Sequence, residues 1–464
     1  PLDRPLQAEE WNSLREGFQS SRTFEEVMLD RMVRHNSPIE VAKSLLTYVA
    51  KSNGEITYPL LIKYLKLCVR QGQTSEIRDL YDIMKSRFKK LEITAYTLFI
   101  RGLSDSDQWR MALTLLEELK TVTVPVRSNY QHCIRAAGRH QEVNLAFELY
   151  REMLTKDLVP SLDVLQVLFD ISRGMKDAEL QKELFGILLY FRENQIHPHK
   201  TFMESIKLWF ESIPGGKWTG HLTNIKDSGH CAVCNHQLED SNLTEEEYNN
   251  LSERIIKDVI HGSDIFIKTN PKECEAFQTF VESRLPFDIV IDGLNVSYMR
   301  RGKMQCENLF EVVNCLAKKN TRLLVLGRKH MLRESSNWRR EMMSEMQNKA
   351  EFFFADRLSQ DDPFLLYAAL RSGSHCKVVT SDFLRDHKAC LTDHATRQLF
   401  RKWQRGHQIM PVVSTRGHIK LLPALSCDCV VQTSGDTWHI PYTDTAEVTD
   451  SYHVPRKWLC VRQK

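Results

Sequence analysis

Four aspartates occupy positions at which turns of the chain would bring acidic side chains into one cleft. Asp292 lies in FDIVIDGLNV, Asp361 and Asp362 lie in LSQDDPF, and Asp382 lies in KVVTSDFLRD. Each stretch ends an apolar, β-branched run or begins an expected helix. Carboxylates gathered in one cleft repel one another unless cations lie between them. The set therefore predicts a metal-dependent site that cleaves phosphodiester bonds.

The metal expected at these aspartates is Mg²⁺, or Mn²⁺ in its place. Hard divalent ions prefer carboxylate oxygens and retain some of their bound water. Two such ions about 4 Å apart activate a water molecule and stabilise the leaving oxygen in an in-line displacement. Each aspartate alone also has a structural explanation, because Asp361 and Asp362 before Pro363 would cap a helix. The set as a whole favours metal binding.

Two polar residues near the aspartates are further candidates. Asn295 would orient a ligand or the scissile phosphate, or would only form the turn that Gly293 permits. His387 would contact phosphate or relay a proton, or would lie on the surface without a chemical role.

Cys231 and Cys234 have the spacing of one half of a zinc knuckle. No second C-x-x-C follows, so any further ligands lie far along the chain. A redox pair is the alternative, although GHCAVCNHQL lacks the strand-to-helix setting of a thioredoxin motif. The candidate partners are Cys427, Cys429, His439, His453 and Cys460, with His230 and His236 close to the pair in sequence.

The aspartates fall in a region, from 287 to about 422, in which strand-like and helix-like segments alternate. This alternation predicts a parallel sheet covered on both faces, with functional groups beyond the carboxyl ends of its strands. The predicted strands are 287–291, 322–326, 351–354 and 376–380, and the predicted helices are 307–319, 331–348, 363–372 and 393–405. Beyond about 424, the segments CVVQT, DTWHIPY and RKWLCVR are typical of short antiparallel strands.

Residues 1 to about 210 are predicted to be helical, and from about 56 onward they repeat. Tyr58, Tyr96, Tyr130 and Leu165 occupy one slot at intervals of 38, 34 and 35 residues. A period near 35 with two amphipathic helices in each repeat predicts a helical solenoid. Such a solenoid binds RNA or, like tetratricopeptide arrays, serves as a protein scaffold. The break SIPGGKWTGH at 212–221 ends this region.

The length of 464 residues predicts two to three domains. No apolar run approaches the ~18–20 residues needed to cross a bilayer, so we expect no membrane-spanning role. The formal charge is only +3, but basic residues gather beside the acidic stretches, as expected of a cleft for a polyanion or, for some of them, of solvated helix faces. These groups lie at 300–303, 328–330, 339–340 and 401–405. The scattered cysteines indicate reduced thiols.

Both halves of the chain resemble known families. The pattern Tyr-x-x-x-Ile, Gly, Ala-x-x-Leu-Tyr-x-x-Met and Pro, clearest at 128–160, resembles pentatricopeptide repeats, which bind RNA. The motifs DGLNV, DDPF and TSDFLRDH resemble the NYN-type metallonucleases, which are related to the PIN nucleases. By that resemblance the metal-binding residues are Asp292, Asp361, Asp362 and Asp382.

The combination of repeats, C-x-x-C, nuclease motifs, WHIP at 438–441 and a late cysteine resembles proteinaceous ribonuclease P. The implied fold is an α-helical solenoid, a split zinc-binding β module and a PIN-like α/β nuclease domain with a parallel sheet. The implied boundaries are 1–212 for the repeats, 213–243 with 425–464 for the module, and 244–424 for the nuclease. The implied ligands of one structural Zn²⁺ are Cys231, Cys234, His439 and Cys460. Cys427 and Cys429 then form the main rival pair.

The resemblance also implies an activity: endonucleolytic removal of the 5′ leader of precursor tRNA, leaving a 5′-phosphate on the tRNA and a 3′-hydroxyl on the leader. Animal mitochondrial members act with a tRNA methyltransferase and a short-chain dehydrogenase-like protein, so the same partners and the mitochondrial matrix are expected here. Since the chain begins at Pro1 and not at Met, we expect that a targeting peptide lies outside it. The alternatives are a non-catalytic pentatricopeptide protein that stabilises organellar transcripts, a protein scaffold, and a nuclease for another RNA.

Overall fold

The computed structural model describes residues 3–19, 23–260, 271–300, 304–317, 321–355, 361–382, 384, 391, 393–444 and 455–464. The chain divides into two compact units. The first unit comprises residues 1–184 and 204–215, and the second comprises residues 185–203 and 216–464.

The first unit consists of helices joined by short loops, as the repeat pattern predicts. They are α1 (Ala8–Glu16), α2 (Phe24–His35), α3 (Ile39–Asn53), α4 (Tyr58–Arg70), α5 (Thr74–Arg87), α6 (Ile93–Ser104), α7 (Trp109–Val122), α8 (Arg127–Arg139), α9 (Val143–Thr155) and α10 (Leu162–Ile171). Helices α11 (Ala178–Asn194) and α12 (Lys200–Ser212) each contribute residues to both units. One apolar face of each repeat helix is buried; in α9 it includes Ala146, Leu149, Tyr150 and Met153.

The tyrosine slot of the repeats carries a hydrogen bond between the two helices of one repeat. The hydroxyl of Tyr96 donates to Glu118 at 3.2 Å, and Tyr130 donates to Glu152 at 2.8 Å. Lys85 of the preceding helix pair also binds the carboxylate of Glu118, at 2.6 Å. The sequence period is therefore a period of polar contacts as well as of apolar packing.

The strands belong to the second unit. They are β1 (Trp218–Thr223), β2 (Ile289–Asp292), β3 (Leu323–Arg328), β4 (Glu351–Ala355), β5 (Lys377–Val379), β6 (Gln408–Val413), β7 (Ile419–Leu422), β8 (Gln432–Thr433), β9 (Thr437–Tyr442) and β10 (Lys457–Gln463). One sheet has the order β4-β3-β2-β5-β6-β7 and is parallel except for β7. The chain builds outward from β2 in one direction and from β5 in the other. The topological switch point, where open α/β sheets bind ligands, therefore lies between β2 and β5.

Helices cover both faces of this sheet. They are α13 (Glu245–Arg254) with a π-helical turn at Ile255–Ile260, α14 (Pro271–Glu282), α15 (Gly293–Ser297), α16 (Gln305–Leu316), α17 (Arg340–Gln347), α18 (Asp361–Ser372) and α19 (His394–His407). Alternate strand residues enter two separate cores: Val290 and Val378 pack on one face, and Ile291 and Val379 on the other. This arrangement confirms the predicted α/β sheet covered on both sides.

One predicted helix is too long. The range 331–348 begins within a 3₁₀ turn at Lys329–Leu332, continues as irregular chain and is α-helical only in α17. Ser335 and Trp338 exchange backbone hydrogen bonds there, at 2.9 and 3.3 Å, and the hydroxyl of Ser335 accepts from the N–H of Trp338 at 3.2 Å. The side-chain hydroxyl competes with helical bonding, which a period-based prediction does not register.

The second sheet has the order β1-β10-β9-β8 and is antiparallel. It contains the three short strands predicted after 424, together with β1, which the sequence analysis did not predict. Gly220 lies within β1 and weakens its strand pattern. Among the residues that the structure describes, no helix combines the length and apolarity that a membrane span requires.

Candidate active site and metal centre

Asp292 ends β2 at the switch point, and only 5% of its surface is exposed. Its Oδ1 accepts the N–H of Asn295 at 3.0 Å and so caps α15. Its Oδ2 accepts the hydroxyl of Thr380, which directly follows β5, at 3.1 Å. Glycine is required at 293 because a Cβ there would lie 2.5 Å from the carbonyl oxygen of Leu326. The carboxylate of Asp292 is therefore held from both sides of the switch point.

Asp382 is exposed and lies in the chain that leaves β5. Its backbone N–H donates to Oγ1 of Thr380 at 3.0 Å, and its Oδ1 accepts the N–H of Leu384 at 2.7 Å. Thr380 thus connects the carboxylate of Asp292 to the backbone of Asp382. The predicted site lacks Thr380, because a threonine at a strand end has no motif of its own.

Asn295 belongs to the same network. Its Oδ1 accepts both the backbone N–H and the hydroxyl of Ser381, at 2.9 and 2.8 Å. The structure therefore brings Asp292, Asn295 and Asp382 together at the carboxyl ends of β2 and β5. This is the edge that the strand pattern predicts.

The other predicted active-site residues are described less fully. Asp361 and Asp362 are the first residues of α18, but their side chains lie outside the described atoms. His387 lies outside the described residues. The metal-binding roles of Asp361 and Asp362 and the phosphate contact of His387 stay predictions.

Some of the basic residues expected near a polyanion have structural roles instead. Arg300 is 10% exposed, pairs with Glu311 at 2.8 Å and donates to Asn308 at 2.6 Å. Arg405 is 9% exposed and donates to the carbonyl of Cys429 at 3.3 Å. Guanidinium groups that are largely buried and already hydrogen-bonded to such partners are poorly placed to bind phosphate.

A second site lies in the other sheet. One donor atom from each of Cys231, Cys234, His439 and Cys460 can be chosen so that all four lie within 4.8 Å of one another. A tetrahedral metal with metal–sulfur bonds of about 2.3 Å has ligands about 3.8 Å apart, so three sulfurs and one imidazole nitrogen fit such an ion. The donor set is the one predicted from the resemblance.

Strand register explains how ligands so far apart in sequence meet. His439 in β9 pairs directly with Cys460 in β10. Opposed residues of antiparallel strands place their side chains on one face with Cβ atoms about 4.5–5.5 Å apart. Sγ of Cys234 lies 3.2 Å from Nε2 of His439, and the hydroxyl of Thr223 lies 3.7 Å from Sγ of Cys231. Thr223, which sequence reasoning missed, joins the site because β1 pairs with β10.

The thiols of this cluster differ in the direction in which their pKa values are shifted. A hydrogen bond with Cys460, together with a contact to His439, lowers the pKa of the Cys231 thiol despite its burial. The same bond raises the pKa of Cys460, and burial raises that of Cys234. A lowered thiol pKa favours the thiolate, which is the form that binds metal.

The rival pair has a different environment. Cys427 and Cys429 are buried in an apolar cluster with Leu238 and Trp458. Burial raises the pKa of Cys427 to about 11 and that of Cys429 to about 12. Both are neutral thiols that fill a core.

Comparisons with known proteins agree with this arrangement. The model of the protein-only RNase P family matches residues 225–460, and that of the PPR repeat matches residues 94–122. The chain is 50% identical over 466 residues to the mitochondrial ribonuclease P catalytic subunit of Rattus norvegicus, which covers 99% of this chain and 79% of that protein. The chain belongs to the protein-only RNase P family. The predicted family is thereby confirmed.

Other members of the protein-only RNase P family extend the comparison. The mitochondrial ribonuclease P catalytic subunit of Mus musculus is 49% identical over 99% of this chain and 79% of its own length. The crystal structure of nuclear proteinaceous RNase P 2 from Arabidopsis thaliana superposes with a TM-score of 0.60 at 18% identity, covering 95% of this chain and 99% of that one. That similarity shows the fold, helical repeats followed by an α/β sheet domain. The family and the Cys/His cluster both indicate metal use.

Proposed function

We propose that this chain is an endoribonuclease that removes the 5′ leader of precursor tRNA. The products are a 5′-phosphate on the tRNA and a 3′-hydroxyl on the leader. The proposal rests on one observation: a chain of the protein-only RNase P family holds Asp292 and Asp382 in one network at the switch point of its sheet. The proposal is also supported by sequence identities of 50% and 49% to two mitochondrial ribonuclease P catalytic subunits over 99% of this chain.

In this proposal the carboxylate oxygens of the active site bind divalent metal ions. We assign the binding of Mg²⁺, or Mn²⁺ in its place, to Asp292, Asp361, Asp362 and Asp382. Such ions, when bound, supply an activated water and offset charge on the leaving oxygen. Asp292 is fixed through Asn295 and Thr380, so it would act as a rigid ligand. Asp382 is exposed, which suits a ligand that also meets substrate or water.

The second site would have a structural role. We assign one Zn²⁺ to Cys231, Cys234, His439 and Cys460. The first two precede the nuclease sheet and the last two follow it, so the ion would fasten the module at 213–243 and 425–464 around the nuclease at 244–424. The repeats at 1–212 would bind the tRNA, and phosphate contacts would make that affinity fall with salt.

The named relatives also direct the choice of compartment and partners. Because the rat and mouse relatives are mitochondrial, we propose the mitochondrial matrix as the place of action. A tRNA methyltransferase and a short-chain dehydrogenase-like protein are the proposed partners.

An add-back assay tests the proposal. A mitochondrial matrix extract depleted of this protein receives 5′-labelled precursor tRNA, Mg²⁺ and wild type, Asp382→Asn, Asp361→Asn or Asp436→Asn. Asp436 lies in the exposed turn between β8 and β9 and serves as the control. One cut at the leader junction by wild type and Asp436→Asn alone supports the proposal. No cut by wild type would leave an RNA-binding protein, and equal cutting by all variants would mean that the aspartates are misassigned.

A further inference from the structure

Gln408, the first residue of β6, reaches into the loop that carries Asp382. Its Nε2 donates to the carbonyl oxygens of Thr380 and Asp382, each at 2.8 Å. Its Oε1 accepts from Nε2 of Gln404, in the last turn of α19, also at 2.8 Å. Sδ of Met410 lies 3.1 Å from Nε2 of Gln408. The two N–H bonds of the amide therefore face two carbonyls of the active-site loop.

The carbonyl of Thr380, which is buried, needs such a donor. The ladder between β5 and its neighbours ends at Val379, so the backbone beyond it has no strand partner. Thr380 is fully buried and Gln408 is only 7% exposed, so water does not substitute readily. An unsatisfied buried carbonyl is costly, so the amide of Gln408, together with the contacts of Asn295 to Ser381, fixes the path of this loop.

The same loop carries Asp382, one of the metal ligands that the proposed function assigns, and it contacts a second, Asp292, through Thr380. The carbonyl oxygen of Thr380 accepts from the amide of Gln408. The hydroxyl of Thr380 donates to the carboxylate of Asp292 and accepts the backbone N–H of Asp382. One buried amide thereby holds the residue that connects the carboxylate of Asp292 to the backbone of Asp382. Since outer residues that orient metal ligands strongly affect affinity, the amide should act on the metal site without touching it.

We infer that Gln408 is a positioning residue for the divalent-metal site, acting through the backbone of Thr380 and Asp382. The expected effect of Gln408 on cleavage rests on the proposed nuclease function. Its expected effect on the structure of the loop does not. Gln404 orients the amide, so it is the outer member of the same chain of contacts.

Gln432 offers a matched control. It is 4% exposed, its Nε2 donates to the carbonyl of Asp428 at 2.8 Å, and its Oε1 accepts the N–H of Glu239 at 2.8 Å. It thus spans two backbone groups as Gln408 does, but among the described residues it has no hydrogen bond to 380–382 or 384. Replacing either residue with methionine keeps length and volume and removes the amide.

The experiment compares wild type, Gln408→Met, Gln404→Met and Gln432→Met in the full chain. Hydrogen exchange of the amides of Asp382 and Leu384, measured by mass spectrometry, reports the loop directly. The Mg²⁺ concentration for half-maximal cleavage of precursor tRNA, with partners supplied by the depleted extract, reports the site. Gln408→Met should exchange faster at these amides and need about tenfold more Mg²⁺, with KM for tRNA unchanged.

The outcomes separate the possibilities. Gln432→Met should lower the melting temperature yet leave loop exchange and the Mg²⁺ midpoint as in wild type. If Gln408→Met does not fold, Gln404→Met should show the same changes to a smaller degree. Wild-type loop exchange in both Gln404 and Gln408 variants would overturn the inference. If wild type itself does not cleave, the proposed function fails while the exchange data still decide the role of Gln408.

Discussion

Asn295 and Ser381 are joined twice, because one side-chain oxygen of Asn295 accepts both the N–H and the hydroxyl of Ser381. The two residues follow different strands, β2 and β5, on opposite sides of the switch point. Asn295 is therefore more than a turn residue of DGLNV. Its Oδ1 is committed to the neighbouring loop, and its contact with a phosphate stays a prediction.

Replacing Asn295 with alanine should slow cleavage about tenfold while costing about 1–2 kcal/mol of stability, because it removes the contacts with Ser381. Single-turnover cleavage and chemical denaturation measure the two effects. Asn308→Ala is the control, since Asn308 is fully buried and holds Ser297 and Arg300. That variant should lose more stability, about 2–3 kcal/mol, yet its folded fraction should cleave normally. Wild-type rates in Asn295→Ala would show that the double contact is dispensable.

Gly293→Ala should impair both stability and cleavage. The added Cβ would lie 2.5 Å from the carbonyl oxygen of Leu326, so β2 and β3 must separate, at a cost of about 1–3 kcal/mol. Gly186→Ala in α11 is the matched substitution, because nothing lies within 4 Å of the new Cβ. It should raise stability by about 0.5–1 kcal/mol. The melting temperatures of both variants measure these effects. A Gly293→Ala variant that melts at the wild-type temperature would contradict the close approach of the strands.

Metal content distinguishes the two cysteine pairs. Cys231→Ser should lose most of its bound zinc and melt at a markedly lower temperature, because metal binding at this site is coupled to folding. Cys427→Ser, which alters only a buried thiol of the apolar cluster, should keep one zinc per chain. Elemental analysis of the purified variants gives the answer. Zinc retained in Cys231→Ser but lost from Cys427→Ser would reverse the assignment.

The carboxylate of Glu152 gives the repeats a pH dependence. Burial alone would raise its pKa, but hydrogen bonds from Lys120 and Tyr130 outweigh burial and hold the pKa below its ordinary 4.5. A lowered carboxylate pKa adds stability above the unfolded value and loses it as pH falls through the folded value. Glu152→Gln should therefore cost about 1 kcal/mol at pH 6 and progressively less below about pH 4.5.

Denaturation of wild type and Glu152→Gln at several pH values measures that difference. Glu148→Gln, an exposed substitution in the same helix, should change stability little at any of them. A constant gap between wild type and Glu152→Gln down to pH 3.5 would show that the ion pair with Lys120 does not contribute.

Much of this architecture is readable from residue patterns. Val290 and Ile291, like Val378 and Val379, form apolar runs too short for helices, and such runs predict a sheet buried on both faces. The tyrosine slot of the repeats reappears as repeated contacts with Glu118 and Glu152. Where local residue patterns and long-range packing favour the same structure, a single sequence is enough to predict that structure.

The features that could not be predicted from the sequence depend on which strands become neighbours in the sheet. Thr380 and Gln408 matter only because β2, β5 and β6 lie side by side, an order that no local pattern encodes. Strands β6 and β7 were not predicted either; β6 carries Pro411, which argues against a strand until its position near the sheet edge is known. Side-chain hydrogen bonds across such pairings become visible only in three dimensions.

The pairing of β1 with β10 sets an order of assembly during biosynthesis. These strands lie at opposite ends of the stretch that contains the nuclease sheet, so the ribosome must deliver that whole sheet before they can meet. Closing so long a loop is slow unless its interior has already folded. Until Cys460 emerges, the proposed metal site lacks one of its four ligands, so it would hold metal weakly. Tight metal binding would thus require a chain in which the whole nuclease sheet has already been synthesised.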